Sequence, residues 1–347
     1  MVLAAAGDSI AQYYLGTFFR FGLTGFAKSP RDAVLWFSRS AEAGFLPAQV
    51  ALSSCYANGE GVLKDSALAS AWCLRAAKAG YVDAQNALAA RYSSGDGVPL
   101  DMSQAAAWYQ RAADAGNAGA QYNLACCHAR GLGLPIDRGK SAELVRQAAV
   151  AGFVEAQASL ARCYDTGDGI PRDSKQAATW YMKAAEAGHA GAQFNIGYAF
   201  ATGEGVSQDA ATAAAWYLRA AEAGYERAMC SLALCYSAGD GVPKDAGLAV
   251  AWFRRAAETG FAPAQNALGN HYFNGEGVAK DAVQAVVWFQ LAAASGDVQA
   301  LFNLGQFHAN GLGGLPLDQS KAVALWRQAA AAGHAGSTQA LAASGLR

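Results

Sequence analysis

Five histidines and seven cysteines are the residues best suited to metal binding or nucleophilic chemistry in this chain of 347 residues. His128 follows Cys127, yet no second ligand pair stands at a metal-binding spacing and no CxxC occurs. His128 and His308 take a helical position held elsewhere by Tyr or Phe, which reads as core or half-buried packing. Cys55, Cys127, Cys163 and Cys235 share one recurring column, the mark of a small core position. A nucleophilic thiol would need an oriented base and a lowered pKa. The acidic GDG and GEG loops lack the alternating oxygen ligands of a calcium loop. Ser-x-x-Lys, Gly-x-Ser-x-Gly, Walker and His-Glu-x-x-His motifs are absent. No catalytic residue, metal site or cofactor is therefore expected.

Hydrogen-bonding chemistry is better represented. Asn266, Asn270 and Asn274 follow i, i+4, i+8 spacing, which sets three amides on one stripe of a helix. Such amides can pair with both the N–H and the C=O of an extended peptide. The plainer reading is that Asn274, like Asn58 and Asn310, ends a helix before glycine.

The composition narrows the classes of partner. The chain is 53% hydrophobic and only 15% charged, against about 25% charged in ordinary domains. The net charge is −1, without the basic surplus by which nucleic-acid binders displace counterions. No nucleic-acid partner is expected. No run of about 18 apolar residues is free of charge, so no membrane span is expected either. The start, MVLAAAGDS, lacks a basic segment and a long apolar one. Seven cysteines cannot all pair within one chain, and reduced thiols point to the cytoplasm, or to the periplasm if a leader has been removed.

The elements that position these residues follow from repetition. Glycines recur at Gly44, Gly80, Gly116, Gly152, Gly188, Gly224, Gly260 and Gly296 at intervals of 36 residues, and Gly7 and Gly333 extend the series with one extra residue each. Each unit reads A-Q-x-x-L-[AG], an aromatic, G-x-G-V, Asp, Trp-aromatic, A-A-x-x-G. Ala48, Leu52, Cys55 and Tyr56 carry the apolar periodicity of a first helix, A, which the Gly-x-Gly pair ends. Asp65, Asp101, Asp173, Asp209, Asp245 and Asp281 are placed to cap a second helix, B, and Gln104, Gln176 and Gln284 stand at capping-box spacing. Trp36, Trp72, Trp108, Trp180, Trp216, Trp252 and Trp288 recur in helix B, which reads as a core anchor. Leu144 and Leu325 replace Trp in two units. No such unit buries its own apolar face, so neighbours must stack. Nine A–B pairs are expected over 10–332, with a capping helix at about 335–343, in one array spanning 1–347. Phe18, Phe19 and Phe21 are expected to cover the opposite end.

These residues resemble the Sel-1-like repeat family over about residues 7–343; the 36-residue period departs from the 34 of tetratricopeptide repeats. The resemblance implies an all-α, right-handed superhelical solenoid of helix-turn-helix repeats whose inner surface is lined by A helices. It also implies a non-enzymatic scaffold or adaptor, of bacterial type, that binds a protein or peptide in its concave groove. By analogy with tetratricopeptide packing, the groove collects Tyr13, Arg20, Asn86, Tyr122, Arg130, Arg162, Phe194, Tyr198, Asn266, Asn270, Asn274, Phe302 and Gln306. A glycan-binding module is the alternative, marked by Tyr and Phe exposed in one cluster. A hydrolase using an acid such as Asp165 would need a second carboxylate across the groove. Homo-oligomers through exposed solenoid ends are a further expectation.

Overall fold

The protein is described by a computed structural model over residues 2–344, so Met1 and 345–347 of the expected array lie outside the described residues. Two compact units are present, Met1–Asp173 and Ser174–Arg347. The first holds α1 (Val2–Ala5), α2 (Ser9–Phe21), α3 (Pro30–Glu42), α4 (Leu46–Asn58), α5 (Ser66–Lys78), α6 (Val82–Ser94), α7 (Met102–Asp114), α8 (Ala118–Arg130), α9 (Arg138–Val150) and α10 (Val154–Thr166). The second holds α11 (Ser174–Glu186), α12 (Ala190–Thr202), α13 (Ala210–Glu222), α14 (Glu226–Ala238), α15 (Ala246–Glu258), α16 (Ala262–Asn274), α17 (Ala282–Ala294), α18 (Val298–Asn310), α19 (Gln319–Ala331) and α20 (Ala335–Ala343). Among the described residues there are helices and no strands. The even-numbered helices from α2 are A helices and the odd-numbered ones from α3 are B helices. Each helix from α2 to α19 has 13 residues, so positions can be counted 1 to 13 in register.

Glycine sets the end of each A helix. Gly95, at φ +74°, lets Asp96 N–H reach Arg91 C=O and closes α6. The second glycine has another task. Gly97, at φ +73°, lies against the Ser66 carbonyl at the start of the preceding B helix, and an added Cβ would collide with it. Gly61, Gly133 and Gly169 do the same to Pro30, Met102 and Arg138 in the first unit, and Gly205, Gly241, Gly277 and Gly313 to Ser174, Ala210, Ala246 and Ala282 in the second. Each loop is thus keyed into the repeat before it.

The capping aspartates behave as their spacing implies at Asp65, Asp101, Asp209, Asp245 and Asp281, whose carboxylates accept N–H bonds from the first helical turn at 2.8–3.1 Å. The capping box is corrected. The N–H that Gln104 or Gln284 would have to satisfy already donates to a carbonyl at position 11 of the A helix: Asp101 to Tyr92, and Asp281 to Tyr272. That bond shuts the loop.

The core is built of A-helix position 7 and B-helix positions 4, 8, 11 and 12. Leu52, Leu88, Leu124, Leu160, Ile196, Leu232 and Leu268 are fully buried. The deepest aromatic of helix B is the residue after the Trp column, as at Phe37, Phe253 and Phe289. Where A-helix position 8 is Gly16, Gly197, Gly269 or Gly305, the facing ring of Phe37, Tyr217, Phe289 or Trp326 occupies the space of the missing Cβ. The tryptophans themselves refine the expectation of a core anchor. Trp108 and Trp216 are buried, while Trp36, Trp72, Trp180, Trp252 and Trp288 are half-buried. Trp72 packs on the Ala33–Cys55 core of the preceding pair, so the column spans the seam between repeats.

The A-Q signature also acts at the seam. Gln12, Gln49, Gln85, Gln121, Gln157, Gln193 and Gln265 each donate Nε2–H to a carbonyl eight residues earlier, at 3.1–3.4 Å. This satisfies one of the carbonyls left open at the end of the preceding helix. At the amino end, Phe18 and Phe19 pack on Phe26. Phe21 does not cover that end; it is exposed, as are Val2, Leu3 and Ile10.

Candidate functional helix-A face

The candidate residues fall at positions 5, 9, 12 and 13 of the A helices, which lie outside the core. Position 5 is only half free. Tyr13, Tyr122, Phe194 and Phe302 each stack on the ring that opens the next A helix: Phe45, Phe153, Tyr225 and His334, at centroid distances of 5.4, 5.4, 5.4 and 4.7 Å. These rings join successive repeats and leave an edge to solvent. Amides also join successive A helices. Asn123 Nδ2 donates to Asn86 Oδ1 at 3.3 Å, and Asn303 Nδ2 to Asn266 Oδ1 at 2.9 Å. The Tyr122 and Ser159 hydroxyls lie 3.3 Å apart.

The charged candidates divide. Arg20 is held by Glu60, with Nε and Nη2 both donating to Oε2 at 3.0 and 2.7 Å. That hydrogen bond holds its guanidinium above the ordinary pKa. Arg130 and Arg162 are exposed, and among the described residues neither side chain forms a hydrogen bond or ion pair. In the second unit, Tyr198 is 51% exposed and Leu234, at the same position 9 of the next A helix, is 56% exposed. With Ala201, Cys235 and Ala238 they line a cavity of about 320 Å³ between α12 and α14. Leu234 is not among the sequence-derived candidates, although Arg162, Tyr198, Asn270 and Gln306 of that set share its position 9. Asn270 and Gln306 continue that column on α16 and α18 as half-buried amides. Asn274 is exposed at the end of α16, its Nδ2 3.5 Å from Glu276 Oε1.

The groups that could do bond chemistry are dispersed. No cluster of three or more His, Cys, Asp or Glu side chains able to hold a metal ion forms among the described residues. Burial pushes the thiols of Cys55, Cys73 and Cys230 up to about 11, and raises those of Cys127, Cys163 and Cys235 as well. Such thiols are poor nucleophiles at neutral pH. His128 is 92% buried, from its 8% exposure, and both ring nitrogens lack a partner. Burial, then the Lys140 charge, holds it below the ordinary histidine range. Exposed aromatics on this face are scattered: Tyr14 and Phe21 on α2 and Tyr198 on α12. No helix of the described residues is long and apolar enough to cross a membrane.

Nine successive segments match the Sel1 repeat, at residues 9–45, 46–81, 82–117, 118–153, 154–189, 190–225, 226–261, 262–297 and 298–334. Among solved structures, the chain is similar to a protective antigen present in uropathogenic Escherichia coli strains that displays an SLR fold. Identity is 34% and the TM-score 0.84, over 96% of this chain and 71% of that one. A Sel1 repeat protein from Oxalobacter formigenes is 34% identical with a TM-score of 0.68, over 88% of this chain and 89% of that one. A search of curated proteins finds no match.

Proposed function

Because the chain belongs to the Sel1 repeat family, whose members are generally protein-interaction scaffolds, we propose that it is a non-catalytic adaptor. It holds a protein or peptide on its helix-A faces. One observation carries this reading: the helix-A faces leave Arg130, Arg162, Tyr198 and Leu234 exposed and unclamped, while six of the B-helix indoles are covered by their own cations. Arg39, Arg75, Arg111, Lys183, Arg219 and Arg255 lie 4.0–5.4 Å from the centroids of the Trp rings three residues earlier. Large rings and guanidiniums that face solvent without an internal partner are the usual anchors of an interface. The half-buried helix-A residues Tyr13, Asn86 and Tyr122 of the first unit, and Phe194 and Phe302 of the second, add contact area on the face of each. Seven free thiols suit a reducing compartment, and we place the protein in the cytoplasm on that basis.

Two paired variants test the proposal, one in each unit. Arg130→Glu with Arg162→Glu, and Tyr198→Ala with Leu234→Ser, are compared with the parent in pull-downs from the source cell. Loss of a shared partner from either variant, with helicity retained, supports the adaptor reading. An unchanged set of partners from both would remove it. Self-association through the exposed Val2, Leu3, Ile10 and Phe21 end is a second mode. Val2→Ser with Leu3→Ser is then expected to shift sedimentation toward monomer.

A further inference from the structure

The amides of the second unit have a fixed polarity, and it is set by a helix cap. Ser337 N–H donates to His334 Nδ1 at 3.0 Å at the start of α20. A backbone N–H can only donate, so Nδ1 is the acceptor, and in the neutral ring the proton sits on Nε2. The Gln299 atom 3.0 Å from Nε2 must then be its oxygen. The other end of the Gln299 amide is therefore NH2, and it donates to Asn303 Oδ1 at 3.3 Å. Asn303 in turn offers NH2, which is shared between Asn266 Oδ1 at 2.9 Å and Asn270 Oδ1 at 3.4 Å. Both oxygens on α16 are used from inside the network. Among the described residues their two NH2 groups have no acceptor. Amide orientation, ordinarily a matter of assignment, is here dictated step by step from a group whose role is unambiguous.

What α16 shows to a partner is therefore two NH2 groups, beside oxygens that each already accept one bond from Asn303. The same row passes through Asn270 to Leu234 and Tyr198, where the cavity of about 320 Å³ opens. Positions 2, 6, 9 and 13 of α12, α14, α16 and α18 contain no Asp or Glu, and Arg227 is their one charge. Asp240, in the loop after α14, lines the cavity together with Tyr198 and Leu234, and Glu276 stands in the loop after α16. A partner matched to this strip has carbonyl acceptors, few N–H groups needing an acceptor, a compact apolar side chain and no net positive charge. An extended proline-rich segment has all four properties. Proline lacks the backbone N–H, the polyproline II backbone turns its carbonyls outward, and its low conformational entropy favours docking on aromatic surfaces. Building on the adaptor reading, we propose that the helix-A face of residues 190–310 binds a proline-rich extended polypeptide, with Asn266 and Asn270 donating to its carbonyls and a ring of the peptide seated against Tyr198 and Leu234.

The test uses the full chain and an acetylated, amidated oligoproline of about ten residues, with a glycine-serine peptide of equal length for comparison. Binding is followed by 15N-resolved side-chain amide NMR and by fluorescence anisotropy. Oligoproline is expected to bind at least about tenfold more tightly than the glycine-serine peptide and to shift the Asn266 and Asn270 NH2 resonances. Asn266→Asp with Asn270→Asp keeps both acceptors for Asn303 and reverses the outward polarity. It is expected to lower oligoproline affinity at least about tenfold with circular dichroism unchanged. Equal affinity for the two peptides, no oligoproline binding, or binding that the double variant leaves intact would each overturn the proline-rich assignment. The adaptor reading is judged separately, since it fails only if the paired variants of the two units retain every partner.

Discussion

At the scale of single residues, the two glycines of each loop and the glutamine of each A helix make opposite demands. Gly97→Ala places a Cβ against the Ser66 carbonyl at positive φ. The expected cost is about 2–4 kcal/mol, measured by urea unfolding. Gln121→Met is expected to cost no more than about 1 kcal/mol. It removes the bond to Ala113 C=O, but also a buried oxygen that accepts nothing, and Met229 and Leu301 already hold the column elsewhere. The thiols give a pH dependence of definite sign. Cys55, Cys73 and Cys230 rise from 9.0 to about 11 on folding, so the folded state keeps protons that the unfolded chain releases. Stability is therefore expected to be full below pH 9 and to fall between pH 9 and 11, as read from chemical unfolding across that range. A flat profile would contradict the burial of these thiols. The repeat columns were legible in sequence because they recur with the same chemistry. The orientation of each amide was not, because it depends on a partner one repeat away at an offset of 37.

At the scale of the element, helix B shows why the Trp column was read as core and is only half so. Position 8 faces the Leu of helix A, whereas position 7 lies over the seam, its outer surface covered by the cation at position 10. Periodicity cannot separate adjacent positions that are both apolar, so sequence alone assigned the anchor to the larger ring. Replacing Trp72 with Ala is expected to cost about 3–5 kcal/mol, and Arg75→Met about 0.5–1 kcal/mol, by differential scanning calorimetry. Helix α17 departs from the pattern. It has Leu291 where the cation stands elsewhere, and the Trp288 Nε1 is buried without an acceptor. Trp288→Phe removes that cost and is expected to leave the melting temperature unchanged or raised, against a fall for Trp72→Phe. The capping-box expectation failed for a reason also beyond local spacing: the N–H it needed is taken by the loop's return to helix A.

At the scale of the whole molecule, the helical class, the nine pairs and their bounds could be read from the chain, since the local propensities, glycine stops and apolar periodicity agree. The division at Asp173–Ser174 could not; it falls inside the 154–189 repeat, where the sequence keeps the same motif as its neighbours. Stability summed from local interfaces predicts that removing 82–117 and joining Tyr81 to Ala118 yields a folded protein. It should keep its helical signal per residue and melt cooperatively at a lower temperature; an unfolded product would show that the first unit is not a sum of neighbours. The keyed loops carry this further. Each second glycine lies against the backbone carbonyl that opens the preceding B helix, which every residue type supplies, so this part of the joint is common to all copies of the repeat. A gene that gains or loses one copy thereby yields a chain whose new junction is complementary from the outset. Selection can then set the reach of the protein in whole-repeat steps, while exposed side chains that take no part in a joint, such as Arg130 and Arg162, diversify independently.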